Sequence, residues 1–353
     1  MSSKEKKLNI IYLCTAEKGP SGGAKNIYNH SDKINKLKIK NLSSEVLHIK
    51  KKRVSKLNIS IKKVLKISSD AYTGWQFNDI KAINNFKSKW LNTNIRLKNN
   101  FVFDKNKDFI IFPEIFAHFA KELCLNENIQ YGIFVQNGYS LNSTSNEKVL
   151  KEVYDNAKFI LSYSKNINDC IELAFPKCCN KIIKTNISIN VDKFNFNVKK
   201  KNIISYMPRK LPVHSNNLIF FLKKHLPKTW KLKSLHNLKE TDVYKNLVLS
   251  KIFLSFSDLE GLGMPPIEAA LAKNIVIGYP GEGGKEYWKK PIFKEIPQGN
   301  IIKFFSEIMI SIKKNKFNKF EKYRKKLAKK YSIENEKKYL LHMVKKIKST
   351  LLT

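Results

Sequence analysis

Apolar residues fall in short, isolated runs along this chain, and between the runs they recur at helical spacing. Leu8–Cys14, Leu42–Ile49, Asp108–Phe112, Tyr131–Val135 and Phe159–Tyr163 each have the length of a buried strand. A second series follows at Asn202–Met207, Trp230–Leu232, Ile252–Ser257 and Ile275–Tyr279. Helices are predicted from Ala24, with Ile27, Ser31, Ile34 and Leu37 on one face, at Phe116–Leu123, and through about Ala174 with Ser164 as its cap. Others are predicted at Asn216–Lys224, within Asn237–Leu249, at Ile267–Ala272, at Ile301–Ile312 and around Phe320–Lys330. Ser332 is placed to cap a last helix with Tyr339, Leu340, Met343, Val344, Ile347 and Leu351 on its apolar face. Strands alternating with helices predict an α/β class with parallel sheets. A length of 353 residues suggests two domains, each with its own core. The Lys-rich segment Val198–Lys201 reads as the linker.

The opening strand runs into a loop ending Pro-Ser-Gly-Gly and then a helix, the start of a Rossmann-like domain. The G-x-G-x-x-G pattern is absent, so dinucleotide binding is not supported. Gly22 and Gly23 read either as a ligand-facing loop or as a tight turn into the helix. Further on, Glu114 stands at the end of a strand, where open α/β sheets bind ligands. His118 is close to it, and a buried, hydrogen-bonded histidine is the ordinary alternative for that residue. Gln136 and Asn137 end the next strand and could bind hydroxyls or make a turn. The stretch Lys50–Ser68 could be a helix with Val54, Leu57, Ile61 and Val64 or Leu65 on one face. A membrane surface would suit it, but a core-facing helix with a solvated basic face is the commoner arrangement.

The chemistry concentrates in Lys251–Trp288, which reads KIFLSFSDLEGLGMPPIEAALAKNIVIGYPGEGGKEYW. Strand, Gly-rich loop, short helix and strand make a βαβ unit. Glu260 lies in the loop and Glu268 inside the first turns of the helix. Gly261 and Gly263 let backbone approach a ligand, and the helix N-terminus offers N–H groups to an anion. Such a site suits a nucleotide sugar, with amides on the diphosphate and carboxylates on hydroxyls. Glu268 also fits as a residue that merely favours the helix dipole, and Glu260 as a solvated loop charge.

Glu260-Gly-Leu-Gly-Met-Pro-Pro-Ile-Glu268 resembles the E-x7-E signature of GT-B glycosyltransferases, especially the retaining group 1 (GT4-like) family. The resemblance implies two Rossmann-like domains facing a cleft, with a C-terminal helix crossing back to the first domain. It implies an acceptor-side domain over residues 1–197, a nucleotide-sugar domain over 198–330 and the returning helix over 331–353. By the same resemblance Glu260 contacts the donor sugar, Glu268 the ribose, and Gly261, Leu262, Gly263 and Met264 line the donor. Arg209 and Lys210, after the first strand of the second domain, resemble the cations that hold the donor diphosphate, at a compressed spacing. Glu260, Arg209, Lys210 and Glu114 are therefore the candidate catalytic residues, and Gly22, Gly23, His118, Gln136 and Asn137 the acceptor-side candidates. The expected activity is transfer of a sugar from a nucleotide sugar to a glycan or lipid-linked acceptor, with retention, in cell-surface polysaccharide or lipopolysaccharide synthesis. A GT-B epimerase or phosphorylase is the near alternative. No Asp-x-Asp motif appears, so neither an essential metal nor another cofactor is expected.

Charge and cysteines alter this picture only at its edges. The formal net charge is +38, and nearly all of it is lysine, since the arginines are Arg53, Arg96, Arg209 and Arg324 alone. Lys, Asn and Ile crowd the whole chain, as in a nucleotide-biased genome. The charge makes an anionic membrane face a candidate partner and leaves a non-catalytic polyanion-binding protein as the rival from another class. No nucleic-acid motif is present, so specific nucleic-acid binding is not expected. Five cysteines without metal or disulfide spacing suggest a cytoplasmic protein, peripheral on the inner membrane face at most. The basic start and the short apolar run after it read as a first strand, not a signal peptide.

Overall fold

Eight consecutive buried residues, Leu8–Thr15, form β1, an interior strand of the first of two sheets. Burial along its whole length means that both faces are covered, as in a parallel α/β sheet. The computed structural model describes residues 7–16, 19, 21–52, 75–91, 93–144, 146–196, 198–314, 317 and 320–352. The expected amphipathic helix within Lys50–Ser68 lies, from residue 53 onward, outside the described residues.

The chain divides into two units. The first comprises the chain up to Tyr163, then Ile167–Thr185 and the C-terminal stretch from Lys337. After β1 it contains α1 (Gly22–Lys36), β2 (Leu42–Lys51), β3 (Ile80–Ala82), β4 (Leu97–Lys98), β5 (Asp108–Pro113) and β6 (Tyr131–Phe134). Then follow α2 (Glu147–Asn156), β7 (Ile160–Ser162), α3 (Lys165–Ala174) and β8 (Ile182–Lys184). Its sheet runs β3-β2-β1-β5-β6-β7-β8, with β4 also pairing on β2. All pairs are parallel except β2 with β3. Ser21 caps α1 by accepting the Ala24 N–H at 3.3 Å, and Ile27, Ser31 and Ile34 are buried. In place of a regular helix at Phe116–Leu123 there are two short turns, a 3-10 turn at Glu114–Phe119 and a π turn at Lys121–Leu125.

The second unit comprises Ser164–Asn166 and Asn186–Glu336. It contains β9 (Ile203–Tyr206), α4 (Pro212–His225), β10 (Lys231–Ser234), α5 (Glu240–Leu249) and β11 (Ile252–Ser257). Next come α6 (Met264–Leu271), β12 (Ile275–Pro280), β13 (Phe293–Glu295), α7 (Ile301–Lys314), α8 (Glu321–Lys330) and α9 (Ile333–Leu352). The sheet order is β10-β9-β11-β12-β13, every pair parallel. Its core gathers Ile204, Leu218, Leu222, Ile252, Leu254, Ile277, Tyr279, Phe304 and Ile308. Pro212 starts α4 earlier than hydrophobic spacing indicates, because a proline at the first helical position loses no hydrogen bond.

From Lys337 onward, α9 belongs to the first unit. Leu340, Met343, Val344 and Ile347 are buried there, the Tyr12 hydroxyl donates to Met343 Sδ at 3.9 Å, and Gln130 Nε2 donates to the Thr350 carbonyl at 3.3 Å. No helix among the described residues is long and apolar enough to cross a membrane.

One buried group makes the first unit sensitive to acid. His48, on β2, accepts the Tyr28 hydroxyl proton at Nε2 across 2.9 Å, while the Tyr28 oxygen accepts the Ser88 N–H at 3.1 Å. This network assigns the neutral Nδ1–H tautomer. Burial pushes the imidazole down to about 4. The folded state therefore binds fewer protons than the unfolded state, and stability present above the unfolded value near 6.5 is lost as pH falls toward 4. At pH 5 the loss should be about 2 kcal/mol. Urea unfolding of wild type and His48→Gln at pH 7.5 and pH 5 checks this. The variant should lose that increment of acid sensitivity, and equal slopes would remove His48 as its source.

Candidate active site

In a parallel sheet the loops after the carboxyl ends of neighbouring strands lie side by side. In the second unit β9 and β11 are neighbours, so the loop after Tyr206 and the loop after Ser257 meet. Lys210, from the first, places Nζ 3.1 Å from Glu260 Oε1, from the second. Two residues far apart in sequence, each singled out for its place after a strand, are thus brought together. Arg209 is exposed beside Lys210 and has no carboxylate partner among the described residues.

Gly263 starts α6 with φ of 75°, a left-handed conformation that glycine adopts without steric cost. Pro265 and Pro266 have no N–H, so two of the four donors normally left unpaired at a helix start are missing. The anion-binding capacity of this end rests on the amides of Gly263 and Met264. Glu268 is buried, 6% exposed, and accepts from the Tyr244 hydroxyl at 3.4 Å. That same hydroxyl lies 2.7 Å from Glu240 Oε1.

A second loop backs the first. Gly283 donates its N–H to the Glu260 carbonyl at 3.0 Å, and the Tyr287 hydroxyl donates to the Gly263 carbonyl at 2.7 Å. Burial pushes the Tyr287 phenol well above its ordinary range, so it stays a neutral donor. The Ser164 hydroxyl, directly before α3, donates to the Gly261 carbonyl at 2.6 Å. Leu262 is buried beside it. Glu286, in the glycine-rich loop after β12, has its carboxylate fully engaged. Its Oε1 meets Lys330 Nζ at 2.8 Å and the Tyr331 hydroxyl at 3.3 Å, and Oε2 accepts the Lys165 N–H at 3.1 Å.

In the first unit the acceptor-side candidates divide into two groups. Glu114 is buried and its two oxygens accept the N–H groups of Gln136 at 2.9 Å and Asn137 at 3.0 Å. The Gln136 Oε1 accepts from Asn26 Nδ2 at 3.0 Å, and a Cβ on Gly23 would lie 3.5 Å from the Gln136 amide. Gly22 and Gly23 begin α1, so these residues form one cluster at the carboxyl ends of β1, β5 and β6. His118 lies apart from that cluster's hydrogen bonds. Its Nε2 donates to the Trp75 carbonyl at 2.8 Å and its Nδ1 accepts from Ser143 Oγ at 3.2 Å, the arrangement of a structural histidine. Burial holds its pKa below the usual imidazole range. Tyr244, Tyr287 and Asn26 escaped the sequence reading, and Ser164 reads there only as a helix cap. A tyrosine's spacing gives no sign of which carbonyl or carboxylate its hydroxyl will meet.

No protein-family model matches the chain, and no curated protein sequence matches it. Solved structures do match its fold. HepE of Anabaena in complex with UDP is 9% identical and aligns over 96% of this chain and 100% of its own, with a TM-score of 0.65. TarM of S. aureus is 12% identical over 95% of this chain and 98% of its own, with a TM-score of 0.62. Sucrose-phosphate synthase of Thermosynechococcus elongatus is 9% identical over 98% of this chain and 100% of its own, with a TM-score of 0.62. These likenesses establish the fold as GT-B.

Proposed function

We propose that this chain is a glycosyltransferase that moves a sugar from a nucleoside-diphosphate donor to a glycan or lipid-linked acceptor, with retention, in cell-surface polysaccharide synthesis. The observation that carries the reading is the convergence of Arg209, Lys210 and Glu260 at adjacent strand ends, on a loop that opens the helix bearing buried Glu268. In this proposal Arg209, Lys210 and the amides of Gly263 and Met264 hold the diphosphate. Glu260 orients the donor sugar and Glu268 takes the ribose hydroxyls. The catalytic gain comes from stabilising charge on the departing diphosphate with groups already in place. In the first unit Gln136 and Asn137 contact the acceptor, and Glu114 positions them. HepE has been solved with UDP and with UDP-glucose, and TarM with UDP and alpha-GlcNAc-glycerol, which favours a uridine donor here. Five free cysteines agree with a reducing, cytoplasmic setting.

Thermal shift with UDP, GDP, dTDP, ADP and CMP, at moderate salt, tests the donor site. A ligand that binds only the folded state at about 100 times its Kd stabilises by about 2.7 kcal/mol. One nucleotide should stand out, and Glu268→Ala should remove its effect. Equal, salt-sensitive shifts with every polyphosphate would instead favour the polyanion-binding reading that the net charge of +38 supports. Consumption of donor without any acceptor would favour an epimerase.

A further inference from the structure

A second concave site lies at the opposite end of the first unit's sheet. It is a cavity of about 430 Å³ at the amino ends of β1, β2 and β5, beside β4. Along β5, Asp108 borders the cavity while Pro113 leads into Glu114, a separation of roughly 17 Å at the rise of an extended strand. The cavity is therefore not part of the Gln136 cluster.

Its floor is a fixed acceptor network. Buried Asn9 donates from Nδ2 to Glu45 Oε2 at 2.8 Å and to Asp108 Oδ1 at 3.2 Å, and its Oδ1 accepts from Ser43 Oγ at 2.9 Å. Both Asn9 amide protons are thereby used, and Glu45 Oε1 is left with no hydrogen bond among the described residues. The wall contains the Phe103 ring, with Lys98 Nζ 5.4 Å from its centroid. Arg96 lines the mouth, exposed and without an ion pair among the described residues. It is one of four arginines in a chain that otherwise uses lysine. A guanidinium in such a position pairs bidentately with a carboxylate.

This mixture is selective. Carboxylates on the floor repel a densely charged group, so a polyphosphate or a nucleic-acid backbone is a poorer occupant than a sugar ring that carries one carboxylate. An acceptor-lined floor suits hydroxyls, and an aromatic wall suits the apolar face of a ring. The lining cations Arg96, Lys7, Lys98 and Lys107 set against Glu45, Asp104 and Asp108 leave a formal excess of one positive charge, which suits a single carboxylate. We propose that the cavity binds a hexuronate residue of the acceptor chain, away from the site of transfer. The proposal rests on the glycosyltransferase reading for the identity of the chain it holds, and it adds an anionic glycan as the acceptor class. Such a subsite would keep a growing polymer attached between transfers by raising its effective concentration.

Calorimetric titration at about 150 mM salt, where long-range charge is screened beyond about 8 Å, tests it. The probes are a hexuronate-containing tetrasaccharide, neutral chitotetraose and inorganic phosphate. The tetrasaccharide should bind at least about ten-fold tighter than either of the others. Arg96→Ala and Glu45→Gln should each weaken it about ten-fold. Lys224→Ala, an exposed cation on α4 of the other unit, should leave it unchanged. Binding no tighter than phosphate, an unaltered Arg96→Ala, or equal losses in Arg96→Ala and Lys224→Ala would each overturn the proposal. Wild-type response to UDP, measured on the same preparation, keeps the two readings apart. Tetrasaccharide binding without any nucleotide response removes the glycosyltransferase reading and leaves the glycan site. A nucleotide response without tetrasaccharide binding removes the glycan site alone.

Discussion

Gly283→Ala should destabilise the second unit by about 3 kcal/mol or more and remove its response to the donor nucleotide. A Cβ at this position would lie 1.9 Å from the Gly261 carbonyl oxygen and 2.8 Å from that of Glu260. Both are backbone atoms, so no side-chain rotation relieves the clash. The neighbouring Gly281 has φ of 64°, and a Cβ there would meet the Asp258 carbonyl at 2.6 Å. The loop after β11 and the loop after β12 therefore pack backbone to backbone, with the Gly283 N–H donating to the Glu260 carbonyl. Pushing them apart displaces Glu260 from Lys210 and the Gly263 amide from its place at the start of α6. Gly299→Ala is the control. Its φ of 84° carries left-handed strain, but nothing lies within 4 Å of the added Cβ, so a cost of about 1–2 kcal/mol and a retained nucleotide response are expected. Chemical unfolding and thermal shift on both variants decide the matter. A Gly283→Ala protein as stable and as responsive as the Gly299→Ala protein would show that the two loops are not coupled.

That clasp shows which parts of the molecule can be read from sequence and which cannot. Ile252–Ser257 and Ile275–Pro280 are short, mostly apolar runs without a charge, and a strand buried on both faces leaves that mark. The α/β class followed from those runs and their order, and the GT-B fold from the resemblance carried by the residues from Glu260 to Glu268. Short strands at the margins left no comparable mark. Ile80–Ala82, Leu97–Lys98, Ile182–Lys184 and Phe293–Glu295 are two or three residues long, too short for a period to show. Side-chain destinations were less legible still. Glu114 stands at a strand end and Glu286 in the glycine-rich loop after β12. The first turns back onto the amides of Gln136 and Asn137, and the second onto Lys330, Tyr331 and Lys165. A carboxylate at a strand end can serve a ligand or the loop that serves the ligand, and only the three-dimensional partners separate the two.

Arg209→Ala should lower kcat/KM by roughly 10²–10³. Lys210 already faces a carboxylate at 3.1 Å, so part of its field is compensated before any donor arrives. Arg209, exposed at the same strand end, carries a charge that no carboxylate among the described residues matches. In the proposed transfer, negative charge grows on the departing diphosphate as the donor's glycosidic bond breaks. A cation aimed there is worth more in the transition state than in the bound donor, so kcat should fall further than KM rises. Arg209→Lys should recover only part of the loss, because an ammonium is a point charge and cannot grip two phosphate oxygens in one plane. Lys210→Ala should be milder in kcat and should alter selection of the donor sugar, since it frees the Glu260 carboxylate. Steady-state transfer assays with the stabilising nucleotide's sugar conjugates measure all three variants. If Arg209→Ala keeps wild-type kcat, the diphosphate is stabilised elsewhere, and the burden moves to Lys210 and the two amides at the start of α6.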